Sequence, residues 1–423
     1  MKTYKHLMEQ FLSVNNIRLS IYTGSKNKLK RPEMRDFRLN EEKWIRYYSK
    51  HAANWDHRAH TPVIIRDGCS GKERSIVVPT NREQIFHHMI VNTLKPMFYK
   101  GMYEHSYSAI PKRGPEKGMK AIRKWIEKDP KGCKYILKLD IKHFFATIPH
   151  EKLKEKLAKN IHDDEFLKIL YDLIDSYDSY EGEDLPYEVI RCKGSGIPLG
   201  FYTSQWLSNW YLQDLDHYIK ERLRVPHYAR YADDMVLFGA SKRFLHKARK
   251  AIDWYLKIEL GLDMKYNWQI FKFDYIDENG NHQGRDLDFM GYRFYCDRVT
   301  MRKRILYRAV KKANKLAKKE HPTVHDARQM LSRLGRFKHS QTYGAYKDLI
   351  KPKVNVKRLK NKVSASDKAV KKEKRYLYDG MAKCSEHYQT GGDRHYLLEE
   401  VQLYPKEYYR GDDRTGWSDS DNV

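Results

Sequence analysis

Cysteine is scarce and badly placed for cross-linking. The 423 residues hold five, Cys69, Cys133, Cys192, Cys296 and Cys384, scattered, odd in number and never in a C-x-x-C pair. Neither a disulfide framework nor a zinc site is suggested, and a reducing cytoplasm suits such a chain. Long apolar runs are missing too. Met1-Lys2-Thr3-Tyr4-Lys5-His6 leads into no signal-peptide core, and no stretch approaches the length of a membrane span, so neither export nor anchoring is expected. No repeat period appears, and no His/Asn or Cys cluster toward the C-terminal end suggests an attached nuclease. The last shortage is of negative charge. Against 82 Lys and Arg stand 55 Asp and Glu, leaving a net +27 interleaved with aromatics. The partner such a chain attracts is a polyanion, nucleic acid ahead of an anionic membrane. The length allows a large core divided among two or three subdomains.

Two apolar runs, Val225-Pro226-His227-Tyr228 and Met235-Val236-Leu237-Phe238, flank Tyr231-Ala232-Asp233-Asp234. They read as a β-hairpin whose turn holds two adjacent carboxylates, a pair that tolerates its own repulsion when a cation sits between the charges. On its own this is as readily a solvated acidic turn. A third carboxylate changes the balance. The strand-like run Tyr135-Ile136-Leu137-Lys138-Leu139 ends in Asp140 and continues into the aromatic Phe144-Phe145. Asp140, Asp233 and Asp234 together would offer hard oxygen ligands to two Mg²⁺ ions, the arrangement that stabilises attacking and leaving oxygens in phosphoryl transfer.

These elements, in this order, resemble those of reverse transcriptases, and the resemblance extends over most of the chain. It implies an α+β, right-hand polymerase fold with fingers, an antiparallel-sheet palm and a helical thumb. The expected division is an N-terminal helical extension over 1–60, fingers over 61–134, palm over 135–300 with fingers insertions, a basic helical thumb over 301–387 and a tail over 388–423.

Within the extension, helical spacing marks residues 3–13 and about 33–51, separated by a basic loop from Gly24 to Pro32 that is either an RNA grip or simply solvated. The β-rich runs 61–66 and 74–79 surround a Gly-rich turn, and Lys72 and Arg74 alternate onto one face of the return strand. By resemblance this pair holds the incoming triphosphate; as residues alone they fit an ordinary surface hairpin. A helix is expected over 81–99, then the His105-Ser106-Tyr107-Ser108-Ala109 element, then a basic helix over 116–128. Phe145 matches the family's aromatic that stacks under the incoming sugar and excludes a 2′-hydroxyl; its bland alternative is palm packing.

Residues 151–176 read as two helices and 177–187 as a loop. Gly194-Ser195-Gly196-Ile197-Pro198-Leu199-Gly200 follows as a turn that lets backbone approach a base pair, before a long helix to about Arg222. The resemblance assigns dNTP contacts to Leu199 and Gly200. Here the chain departs from the commonest pattern, with Leu199 in place of a Gln and Gln205 in place of a Pro. That departure resembles two bacterial branches, the diversity-generating retroelement enzymes and the phage-defence or abortive-infection enzymes.

An amphipathic helix is expected over 242–260. Lys265, competing with Trp268 for the matching position, is the candidate general acid toward the pyrophosphate leaving group. Met290, Gly291 and Tyr292 lie in a segment resembling the primer-grip hairpin. Densely basic helical patterns follow at 302–319, 323–336, 341–351 and 367–385, suited to tracking duplex phosphates.

The implied activity is RNA-directed DNA synthesis: a nucleotidyltransferase using Mg²⁺ and dNTPs to copy an RNA template, here a dedicated structured non-coding RNA, into cDNA. Antiphage defence is the favoured setting and error-prone diversification the alternative. A retron is disfavoured for want of Asn-Ala-x-x-His and Val-Thr-Gly elements, and an intron maturase for want of extra DNA-binding segments. The distant alternative is a non-catalytic RNA-binding protein on a polymerase fold. A homo-oligomer or an accessory protein remains open as a further partner, as do the primer and the fidelity.

Overall fold

The computed structural model describes residues 4–57, 63–66, 73–177 and 194–368. The chain divides into two units, Met1–Ser364 and Ala365–Val423. Of the second only residues 365–368 are described, and they are helical.

Four helices open the first unit: α1 (Leu7–Leu12), α2 (Val14–Ser25), α3 (Pro32–Leu39) and α4 (Glu41–His51). The apolar spacing accounts for α1, α3 and α4, whereas α2 is unanticipated. Its Val, Ile, Asn and Gly residues are indifferent helix formers. What holds it is the Ser13 side chain, which accepts from the Asn16 N–H at its start, and buried Ile17 and Ile21. A Cβ on Gly24 would lie 2.5 Å from Ile85, so this helix packs closely on the later helix over Asn81–Tyr99.

Strands β1 (Val63–Arg66) and β2 (Glu73–Ile76) pair antiparallel, Val63 opposite Ile76 and Arg66 opposite Glu73. Their connecting turn, with Lys72, lies outside the described residues. Helix α5 (Asn81–Tyr99) begins at a capping box in which Thr80 and Glu83 each satisfy the other's backbone N–H. Helix α6 (Pro115–Lys128) turns Met119, Ile122 and Ile126 inward.

Next come β3 (Tyr135–Asp140), α7 (Phe144–Thr147), α8 (His150–Asn160), α9 (Asp164–Asp175), α10 (Tyr202–Tyr211) and α11 (Gln213–His217), the last running into a π-helical turn over Tyr218–Arg222. The loop expected over 177–187 falls, from 178 on, outside the described residues. The remainder of the mixed region is β4 (His227–Tyr231), β5 (Asp234–Gly239), α12 (Lys242–Ile258) and β6 (Gln269–Lys272). Then follow β7 (Tyr275–Ile276), β8 (His282–Gln283), β9 (Leu287–Phe289), β10 (Tyr292–Phe294) and β11 (Val299–Met301). Helices α13 (Lys303–Ala317), α14 (Val324–Leu334) and α15 (Tyr343–Leu349) complete the named elements. A further helical stretch, 356–368, begins earlier than the pattern at 367–385 suggests.

The central sheet has the order β4-β5-β3-β6, every pair antiparallel. Both faces are covered, because alternate residues enter different cores. Leu137, Leu139, Met235 and Leu237 join the large helical cluster, while Ile136, Val236 and Phe238 join a second one with α6 and β9–β10. A third core lies within the C-terminal helices, where Ala309 and Ala313 face Ala327 and Met330. The α+β class with an antiparallel sheet backed by helices is the one expected. Among the described residues no helix is long and apolar enough to cross a membrane.

Candidate active site

The sequence separates Asp140 from Asp233 and Asp234 by some ninety residues, and the central sheet closes that gap. Strand β3 lies between β5 and β6, and its last residue, Asp140, is the direct cross-strand partner of Asp234, the first residue of β5. Asp233 sits in the turn before it. Like charges directly opposite across a ladder are unfavourable, so this register concentrates repulsion at one sheet edge.

The carboxylates show that strain in their acidity. Burial, then the hydrogen bond and charge of Asp140, raise Asp233 above the usual carboxylate range. Burial pushes Asp234 up to about 6, with the charge of Asp140 adding to it and Lys138 and Arg302 opposing it. Asp140 Oδ1 and Asp234 Oδ1 are buried and, among the described residues, have no hydrogen-bond partner. Buried orphan acceptors on adjacent carboxylates are what a hard divalent cation would satisfy, so the donor set fits one.

The protein's own cations occupy the flanks. The Lys265 ammonium contacts Asp140 Oδ2, and the Lys265 N–H donates to the Asp140 carbonyl at 2.9 Å. Geometry thus brings Lys265, of the two competing positions, to the carboxylates. Trp268 instead packs beneath Arg249, whose guanidinium lies 4.7 Å from its ring. Lys138, which sequence reasoning missed, reaches Asp234 at 3.5 Å and donates to the Asp288 carbonyl at 2.8 Å. Its period-2 position on β3 was the available signal, since alternate residues of that strand face the same side as Asp140. A pocket of about 310 Å³ opens beside these groups, lined also by Asn267, Gln269 and Asp288.

The turn between β4 and β5 is held from behind. Ala232 adopts φ 56, the left-handed region that costs a residue with a side chain. Arg230 Nη1 donates to the Ala232 carbonyl at 3.0 Å, while Nε and Nη2 grip Asp216 at 2.8 and 2.6 Å. Tyr228 donates to the same carboxylate at 2.7 Å. Both members of the ion pair are 1% exposed. The His105–Tyr107 segment locks the outer edge, His105 accepting from the Arg230 N–H and Tyr107 donating to its carbonyl.

The remaining expected site residues fall into three groups. Backbone hydrogen bonds draw the Gly-rich turn onto the segment after Asp140: Ile197 N–H to the Phe145 carbonyl at 2.7 Å, and Gly196 N–H to Ile148. Phe145 itself is half-buried and packs edge-on against Phe144 at 5.4 Å. The same turn reaches back to the β1–β2 hairpin, where Val77 N–H donates to the Leu199 carbonyl at 2.7 Å. Gly200 has φ +116, and a Cβ there would stand 2.0 Å from the Val77 carbonyl oxygen, so glycine is required. Arg74 lies exposed on β2 opposite Ile65; Lys72 lies outside the described residues.

The third group, matched to the primer-grip hairpin by resemblance, lies at the β9–β10 hairpin. Met290 and Tyr292 are buried. The close neighbours of Gly291, which has φ +86, are Arg336 and Ile305, at 2.7 and 2.9 Å from an added Cβ. That glycine is explained by packing against the C-terminal helices. The turn's link to the carboxylate site runs through Asp288, whose side chain accepts from Arg302 at 2.8 Å.

Residues 64–269, which contain all three carboxylates, match the family described as "Reverse transcriptase (RNA-dependent DNA polymerase)". These residues make up a little under half of the chain. Among curated relatives, "Protein YkfC" of Escherichia coli K12 is 23% identical over 155 residues, 36% of this chain and 39% of that protein. "Retron Ec73 reverse transcriptase" of Escherichia coli is 26% identical over 214 residues, 48% of this chain and 60% of that one. The chain thus covers less than two thirds of either relative. A solved structure of apo telomerase from Candida tropicalis is 12% identical, with a TM-score of 0.43 over 81% of this chain and 61% of that one.

Proposed function

We propose that this chain is an RNA-directed DNA polymerase that copies an associated structured non-coding RNA into cDNA, in bacterial antiphage defence. The observation that carries the polymerase reading is the cross-strand convergence of Asp140 with Asp233 and Asp234 at one sheet edge, inside the stretch that matches the reverse transcriptase family. In this reading β1–β2 and α5 belong to the fingers, the central sheet is the palm, and α13 to α15 form the thumb.

Asp140, Asp233 and Asp234 would hold two Mg²⁺ ions, which when bound supply Lewis-acid activation of a primer hydroxyl and neutralise phosphate charge. The chain's own residues do the rest. Arg230 fixes the turn that aims Asp233 and Asp234. The Leu199-Gly200 turn, pinned to Val77, presents backbone to the nascent pair, and Phe145 lies under the sugar to disfavour ribonucleotides. Lys265 stands beside Asp140, placed to give a proton to departing pyrophosphate. The basic helix α13 meets the duplex phosphates and makes binding fall with salt.

The Leu199 and Gln205 departure keeps diversification as the second reading. The carboxylates and their aromatic neighbours are all present, which weighs against a retired, purely RNA-binding fold. The test is to purify the chain and sequence its bound nucleic acid before and after adding dNTPs and Mg²⁺. The expected result is a retained RNA and new DNA copied from it, with Asp233→Ala/Asp234→Ala abolishing synthesis while RNA stays bound. Synthesis that survives the double change removes these residues from the mechanism. A copied RNA matching a repeat in a neighbouring target gene favours diversification; a structured RNA without one favours defence.

A further inference from the structure

Away from the carboxylate edge, four side chains that the sequence scatters meet at one point. Asp274 follows β6, His282 opens β8, and Cys296 and Asp297 lie in the turn between β10 and β11. One donor atom from each falls within 4.8 Å of all the others. No consecutive motif announces them, which is why the cysteine spacing argues against zinc.

The local backbone holds the donors in place. Asp274 is buried, and its carboxylate accepts from the Cys296 N–H at 2.9 Å. Its own N–H donates to the Arg285 carbonyl at 3.0 Å. His282 Nδ1 lies 3.0 and 2.9 Å from the two Asp274 oxygens. His282 Nε2 faces Arg298 Nη1 at 2.7 Å, and because a guanidinium only donates, Nε2 is the accepting nitrogen and Nδ1–H points at Asp274. A carboxylate that fixes an imidazole in this way is the usual outer support of a metal-binding histidine.

Arg298 shows what the cluster attracts. Its Nη1 stands 2.7 Å from His282 Nε2 and 3.1 and 2.9 Å from the two Asp297 oxygens, so one positive N–H group sits where these lone pairs converge. Arg298 is 40% exposed and its guanidinium also lies 4.5 Å over the Tyr295 ring. Imidazole, sulfur and the Asp297 carboxylate, with a solvent molecule as the fourth ligand, form a donor set of the kind a four-coordinate, borderline-soft ion takes; Mg²⁺ prefers six oxygens.

We propose that His282, Cys296 and Asp297 form a second metal site, selective for Zn²⁺ over Mg²⁺, with Asp274 orienting the imidazole from behind, in which the ion replaces the Arg298 guanidinium and staples the β7–β8 hairpin to the β9–β11 sheet. On binding, the Cys296 thiol proton leaves to solvent and the thiolate bonds the ion. Arg298 swings outward, and no electron is transferred. The role is structural, and the inference does not depend on the polymerase reading.

The test is to strip the full-length chain with EDTA and titrate it with CoCl₂, with Mg²⁺ in excess to hold the catalytic carboxylates. One Co²⁺ per chain should bind with a sulfur-to-cobalt charge-transfer band in the near ultraviolet, which the aspartate cluster cannot produce. Cys296→Ser should abolish the band, His282→Ala should weaken binding ~10-fold or more, and Cys133→Ser should leave it unchanged. Arg298→Gln should tighten it by removing the competing cation. ZnCl₂ should raise the melting temperature of the wild-type chain and not of Cys296→Ser, with circular dichroism confirming that the variants fold. A wild-type chain without a sulfur-to-cobalt band, or a band that persists in Cys296→Ser, overturns the proposal and leaves a self-satisfied hydrogen-bond cluster.

Discussion

Replacing Asp234 by Asn should make the metal-free chain more stable, and by more at pH 8 than at pH 5. Burial lifts this carboxyl to about 6 from an ordinary 3.8. An acid whose pKa rises on folding binds more protons folded than unfolded, so it lowers stability as pH climbs through the interval between those two values. The shift corresponds to ~3 kcal/mol once the group is fully ionised. With the side chain 32% exposed, solvent screening reduces that to ~1–2 kcal/mol. At pH 5 about half of the penalty remains. The change gives up the Lys138 contact, but that ammonium keeps the Asp288 carbonyl at 2.8 Å. For a unit of this size ~1 kcal/mol moves the melting temperature about 1–2 °C. Scanning fluorimetry in EDTA should therefore show the variant about 2 °C above wild type at pH 8 and about 1 °C above it at pH 5. Adding Mg²⁺ at pH 8 should reverse the order, since only the intact carboxylate set gains from the ion. A variant that melts below wild type in EDTA, or a difference indifferent to both pH and Mg²⁺, would refute the view that these carboxylates hold uncompensated charge for a cation.

Two further changes probe the supports of the site. Arg230→Gln strands the buried Asp216 carboxylate and should cost about 3–5 kcal/mol in urea unfolding; a loss below ~1 kcal/mol would mean that the ion pair is dispensable. Gly200→Ala places a methyl against the Val77 carbonyl at a backbone angle alanine resists, and should raise the dNTP KM about tenfold with RNA retention in filter binding unchanged. An unchanged KM would detach this turn from nucleotide binding.

The carboxylate hairpin and its partner strand were legible because apolar runs ended in acids, a pattern with period 2 and a clear stop. Helix α5 was legible through its apolar stripe and ends at the expected residues; α13 followed from its basic amphipathic spacing. Helix α2 was not, because its stability comes from Ile17, Ile21 and Gly24 against α5 and not from its own propensities. Lys138 and Arg230 look like ordinary alternating strand residues, and only the register shows one on Asp234 and the other buried on Asp216. Gly291 carries the opposite lesson. Its positive φ is real, but the close approach it permits in this fold comes from Arg336 and Ile305.

The buried Arg230–Asp216 pair gives the carboxylate hairpin a keel whose cationic half does not lose its charge. A guanidinium keeps its charge at every pH the chain would meet; burial works to lower the Arg230 pKa, but the charge and hydrogen bond of Asp216 outweigh it and raise it further. The acids at the tip, a few ångströms beyond, sit high enough to change state near neutrality. Acidification therefore switches the cutting edge and leaves the blade's mounting untouched, so activity lost to mild acid should return in full when the medium is neutralised.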